Sequence, residues 1–132
     1  MTSEPTHLAQ GLAAVAIDAN DPASLAHWWA RLLGDDAVVA VDDDGDARLW
    51  WADGPPLDFL RVPEPKSTKD RIHLDLVTTD FDAAVERAEA LGAQRADDVY
   101  DGDRWRVFRD PEGNEFCLLR PGGNEWIARP PP

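Results

Sequence analysis

Several things are scarce in this sequence of 132 residues, and each scarcity narrows what the chain can be. There is one cysteine, Cys117, so no intramolecular disulfide can form, and a reducing compartment suits the chain. Basic residues number 13 against 26 acidic ones, giving a net charge of -13, and they are scattered singly rather than gathered into a stripe. Such a surface repels phosphate backbones and anionic lipid head groups, so roles on nucleic acid or at a membrane are disfavoured. No apolar run approaches the roughly 20 residues needed to span a bilayer. Met1 to Thr6 lack the basic-then-apolar order of a signal peptide, which makes a cytoplasmic location the expectation.

What is present suits one folded domain over residues 1–132, since 43% of residues are hydrophobic and 30% charged. Leu12 to Asp18 reads as a buried strand that stops at Asn20, Asp21 and Pro22. Asp21 is a helix N-cap, with Pro22 at the first helical position. Leu25, Trp28, Trp29, Leu32 and Leu33 then give one apolar face, with core packing the plain reading of the tryptophan pair, and Gly34 ends the helix. Strands are expected at Val38 to Val41, Arg48 to Trp51 and Leu57 to Val62. The acidic run from Asp42 to Asp46 has the wrong glycine position for a calcium loop and reads as a solvated hairpin turn.

The same order then begins again. Ile72 to Val77 is a strand, Asp80 an N-cap, and Phe81, Ala84, Val85, Ala88 and Leu91 a helix face ended by Gly92. A weaker strand follows near Gln94 to Val99, then a turn at Asp101 and Gly102 and a strand from Arg104 to Arg109. Asp110, Pro111, Glu112, Gly113 and Asn114 make a turn that hands on to a last strand, Glu115 to Leu119. The chain is therefore read as α+β, two tandem βαβββ modules: module one at about residues 8–63, a linker at 64–70, module two at about 71–121, and a loosely ordered tail at 122–132 carrying Trp126, which can dock on a neighbouring chain. His7 and His27 have no identifiable partners.

The duplication, His73 opening the second half, and the turn Asp110-Pro111-Glu112-Gly113-Asn114 together resemble the vicinal oxygen chelate superfamily, the glyoxalase and bleomycin-resistance fold, and within it the small glyoxalase-like domain proteins. The resemblance covers nearly everything between Leu12 and Arg120. It implies one curved, cup-like mixed sheet with helices on the outside, a pocket that often holds a divalent metal, and a homodimer. Metalled members draw one ligand from the first and one from the last strand of each module. Placing Asp21 on Asp80 puts Ala14 on His73 and Ala16 on Asp75; placing Asp58 on Glu115 puts Leu60 on Cys117, where the metalled members commonly carry glutamate. That leaves one expected ligand, one possible thiolate and two aliphatic side chains, so no cofactor and no metal site of the family's usual type is expected; a shifted divalent site on His73, Asp75, Glu115 and Cys117 is the lesser alternative.

Strand alternation puts Asp75 on the face of His73 and Glu115 on the face of Cys117. The ligand-pocket candidates are thus His73, Asp75, Glu115 and Cys117, with an aromatic wall from Trp50 or Trp51 and from Trp105. His73 is the candidate catalytic residue, and an imidazole within reach of Cys117 would favour its thiolate. The leading expectation is a small-molecule binding protein with a degenerate metal site, one that sequesters a drug or binds a metabolite. Two alternatives stand beside it: a lyase, isomerase or thiol transferase using His73 with Asp75 or Glu115, and a protein-interaction module with a filled cup.

Overall fold

The computed structural model describes residues 6, 8–98 and 105–123. The chain divides into two compact units, Met1–Val62 and Pro63–Pro132, each holding one βαβββ module. The first contains β1 (Val15–Ala19), α1 (Pro22–Leu33), β2 (Val38–Val41), β3 (Ala47–Trp50) and β4 (Leu57–Arg61). The second contains β5 (Leu74–Val77), α2 (Phe81–Ala90), β6 (Gln94–Arg95), β7 (Trp105–Arg109) and β8 (Glu115–Leu119). Each module builds a four-stranded mixed sheet, ordered β1-β4-β3-β2 in one and β5-β8-β7-β6 in the other. In both, the first and last strands run parallel and the remaining pairs antiparallel.

The helices begin as their caps dictate. Asp21 accepts a hydrogen bond from the Ser24 N–H at 3.2 Å, and Asp80 accepts one from the Ala83 N–H at 3.1 Å. Helix α1 contacts all four strands of its sheet. It buries Leu25, Ala26 and Trp29 on the sheet face that carries Ala47, Leu49, Leu57 and Phe59. Trp28 meets Trp29 edge to face at 5.6 Å, so the tryptophan pair is packing material. In module two, Phe108 and Phe116 stack at 5.9 Å, and Arg106 and Arg120 lie over the Phe81 ring at 5.8 and 4.2 Å, marking that face as the one α2 covers.

Two strands start later than their composition suggests. Both β1 and β5 begin where their parallel partner begins, Val15 opposite Leu57 and Leu74 opposite Phe116. Upstream there is no ladder to join: Pro55 and Pro56 precede β4, and the Asp110 to Asn114 turn precedes β8. Leu12 and Ile72 are consequently exposed. Trp51 leaves β3 rather than continuing it, and β6 is confined to Gln94–Arg95. Val99, the Asp101-Gly102 turn, Arg104, His7 and Trp126 lie outside the described residues. Among the described residues, no helix is long and apolar enough to cross a membrane.

Candidate functional site

With each helix on one sheet face, the opposite faces carry the chemistry. In β3 and β4 the burial alternates: Ala47, Leu49, Leu57 and Phe59 are buried beneath α1, while Arg48, Trp50, Asp58 and Leu60 stand on the other face. Arg48 pairs directly across from Asp58. Its Nε donates to Asp58 Oδ1 and its Nη2 to Oδ2 at 2.7 Å, a two-point fork of the kind that fixes both groups. The guanidinium holds the Asp58 carboxyl below the usual carboxylate range. Its carbon lies 6.0 Å from the Trp50 ring centre. With Ala40 and Leu60, these three side chains line a pocket of about 340 Å³.

Of the two neighbouring tryptophans, Trp50 is therefore the one at this pocket. Trp51 is committed elsewhere. Its indole N–H donates to the Pro55 carbonyl at 2.8 Å, and its ring lies where a Cβ on Gly54 would sit, 2.1 Å away. The ring thus clasps the turn into β4.

In module two the turn into β8 is built by Asp110. Its carboxylate accepts from the Glu112 and Asn114 N–H groups, both at 2.9 Å, and from Asn114 Nδ2 at 3.0 Å. Gly113 supplies the left-handed backbone this requires, at φ +89°. Beyond the turn, Asp75 sits across from Cys117, and His73, two residues before Asp75, shares its face. His73 Nδ1 lies 3.0 Å from Asp75 Oδ1 and 3.9 Å from Cys117 Sγ. Cys117 itself packs with Ala96 and Val107, flanked by Trp105 and Leu119, so Trp105 borders this cluster.

A thiolate nucleophile does not follow from this proximity. Burial first, and then the Asp75 charge and hydrogen bond, push the Cys117 thiol up to about 12, against a smaller opposing effect of Lys69. Glu115 is likewise drawn away. Its carboxylate is 3.0 Å from Lys66 Nζ and accepts from the Asp70 N–H at 3.4 Å, while its own N–H donates to Asp70 Oδ2 at 2.9 Å. The segment expected to be a linker is thus fastened to the start of β8. Burial opposes the charge on Glu115, but Lys66 and the two backbone bonds hold its carboxyl below the usual range. Burial and the Glu115 charge raise that of Asp70.

The strand register corrects one sequence correspondence. With Asp21 placed on Asp80, Ala16 falls on Asp75; Ala16 pairs with Asp58, and Asp75 with Cys117. Asp58, not Leu60, is the counterpart of Cys117, and Leu60 matches Leu119. The signal was available in the turns, because Asp58 follows Gly54 by the same four positions that separate Cys117 from Gly113. Arg48 and Asp58 are the site residues that sequence reasoning passed over.

A divalent ion of the kind the superfamily often holds would draw on first-strand and last-strand residues of each module. Ala14 has no donor atom, both Asp58 oxygens accept from Arg48, and position 117 carries a thiol in place of a carboxylate. These residues do not fit an oxygen-rich metal centre of that type.

A family model described as Glyoxalase-like domain matches residues 14–119. Among solved structures, the fosfomycin resistance protein FosX from Mesorhizobium loti aligns with a TM-score of 0.69 at 18% identity, covering 92% of this chain and 100% of that one. A mutant FosX from Listeria monocytogenes, complexed with Mn(II) and a dihydroxypropylphosphonic acid, aligns with a TM-score of 0.68 at 14% identity, over 85% of this chain and 90% of that one. Oxidase ChaP-H2 aligns with a TM-score of 0.64 at 23% identity, over 83% and 92%. No curated protein matches the chain. At these identities the shared property is the architecture.

Proposed function

The chain belongs to the glyoxalase-like domain family, within the vicinal oxygen chelate superfamily, and from that premise we propose that it binds a small molecule through side chains on the open face of its first sheet, without the superfamily's oxygen-rich metal centre. The observation that carries the reading is the Arg48–Asp58 fork beside Trp50 on the open face of the first sheet. Trp50 offers a flat apolar surface, and a guanidinium tied at Nε and Nη2 still presents Nη1 donors to an acceptor on the ligand. That combination suits a planar or partly apolar compound, such as a drug to be sequestered or a metabolite. Pairing of two copies belongs to the same proposal, and sedimentation velocity tests it.

The deciding experiment is a thermal-shift screen of chelator-treated protein against planar aromatic compounds. A ligand at a hundred times its Kd adds about 2.7 kcal/mol to stability, enough to move the melting temperature by several degrees. The shift should persist without metal and disappear in Trp50→Ala. Shifts that appear only after a divalent ion is restored would overturn the reading.

A second reading is catalytic, and one observation favours it. The 3.0 Å contact between His73 Nδ1 and Asp75 Oδ1 selects the ring tautomer in which Nδ1 carries the proton, leaving Nε2 as the basic nitrogen. This geometry suits a lyase, isomerase or thiol transferase with His73 as base and Asp75 as its orienting partner; the Lys66 contact removes Glu115 from that role. Undiminished turnover of an identified substrate by His73→Ala would eliminate it. An interaction module with a filled cup is opposed by the pocket of about 340 Å³.

A further inference from the structure

We propose that His73 Nδ1, Asp75 Oδ1 and Cys117 Sγ form a three-donor site for a thiophilic divalent ion of the zinc class, built by module two alone. One donor atom from each of the three residues lies within 4.8 Å of the other two. Around a tetrahedral zinc, nitrogen and oxygen sit at about 2.0–2.2 Å and sulfur at about 2.3 Å, which places the ligand atoms roughly 3.3–3.6 Å apart. The observed edges of 3.0 Å from nitrogen to oxygen and 3.9 Å from nitrogen to sulfur straddle that range. Small side-chain rotations close the difference, and the groups that must rotate have room: the His73 side chain is 24% exposed and that of Asp75 50%.

The backbone fixes the arrangement. Asp75 and Cys117 are direct partners across the β5–β8 ladder, and His73 stands two residues before Asp75 on the same face. Asp75 is what separates this set from the superfamily pattern, because that pattern takes one ligand from each first and last strand, whereas here β5 and the residue preceding it supply two. A sulfur donor also changes which ions are favoured. Thiolate with imidazole selects zinc, cadmium or cobalt over magnesium, calcium and manganese. Binding exchanges the thiol proton for the metal: the S–H bond breaks, an S–metal bond forms and the proton passes to solvent, while the His73 ring proton moves from Nδ1 to Nε2 so that the Nδ1 lone pair faces the ion in place of its hydrogen bond to Asp75. Thiolate and carboxylate then offset the two positive charges of the ion, with Lys69 the nearby cation that opposes it. Three protein donors leave a fourth position for water or a ligand atom.

Cobalt(II) added to chelator-stripped full-length protein tests this without reference to turnover or to the Trp50 pocket. At one equivalent per chain, a near-ultraviolet sulfur-to-cobalt charge-transfer band and the visible bands of a tetrahedral ion should appear, and zinc should displace both. Cys117→Ser should abolish the charge-transfer band, and Asp75→Asn should weaken cobalt binding at least about tenfold. Asp58→Asn should leave the titration unchanged. Because Cys117 is buried and its replacement can impair folding, zinc protection of the native thiol from alkylation supplies a second measurement on the unaltered protein. Absence of the charge-transfer band in folded wild-type protein would overturn the proposal, as would full cobalt affinity in Asp75→Asn or its loss in Asp58→Asn.

Discussion

Asp58 and Cys117 occupy matching rows of two sheets with the same topology, yet their surroundings have opposite electrical character. In module one the residue across from Asp58 on β3 is Arg48; in module two the residue across from Cys117 on β7 is Val107. One partner supplies a cation and keeps its acid ionised, while the other supplies hydrocarbon and helps keep its thiol protonated. The backbone ladder has been repeated and the side-chain chemistry has not. A duplicated fold therefore guarantees where a side chain stands, while the residue one strand over decides its charge state.

The comparison breaks first at the shared element, the apolar face beneath each helix. Phe59 in one module and Phe116 in the other are both fully buried, so Phe59→Ala and Phe116→Ala should each lower stability by about 3–5 kcal/mol in urea unfolding. A large loss in only one would show that the two sheets do not rest on equivalent cores. Next comes a contact of module two that is not repeated in module one among the described residues. Lys66→Met leaves the buried Glu115 carboxylate without its ammonium and should cost about 1.5–3 kcal/mol by the same measurement.

The charge contrast is sharpened by thiol reactivity. A thiol raised from 9.0 to about 12 carries about a thousandfold less thiolate at neutral pH; the greater intrinsic nucleophilicity of a more basic sulfur returns part of that. Native Cys117 should react with iodoacetamide at least about thirtyfold more slowly than free cysteine, and Asp75→Asn should narrow the gap. A native rate equal to that of free cysteine, read by mass spectrometry, would remove the contrast with Asp58.

The smallest expected effect is a pair of opposite slopes. The Asp70 carboxyl is raised in the folded protein, so wild type should lose stability relative to Asp70→Asn as the pH climbs from 3.8 through the raised value. Glu115 is lowered, so wild type should lose stability relative to Glu115→Gln as the pH falls from 4.5 through the lowered value. Slopes of the same sign would show that the two carboxyls do not divide their roles in this way.

Most of the architecture was legible because it rests on local chemistry. Asp21 with Pro22, Asp80, and the Asp110 to Asn114 turn declare their positions from neighbours within a few residues. The register between first and last strands was harder, since it joins residues more than forty positions apart. The likeness of Asp58-Phe59 to Glu115-Phe116 suggested an alignment two residues away from the real one. An even displacement preserves the face on which every side chain stands and changes only its row. Parity alone therefore gives Cys117 its sheet face and leaves Trp50 and Trp51 as equal candidates for the pocket, while Asp58 falls on the wrong partner. Glu115 was assigned its face by the same parity, but only the fold shows Lys66 arriving from the intervening segment to claim it.

The fork between Arg48 and Asp58 has a physiological corollary. An ion held by protein ligands exchanges with its surroundings, and its occupancy follows supply, competing metals and chelators. A guanidinium is attached to the chain and stays charged at any pH a cell tolerates. The positive group facing Asp58 is therefore installed when the protein is synthesised, and that face of the molecule is indifferent to metal starvation.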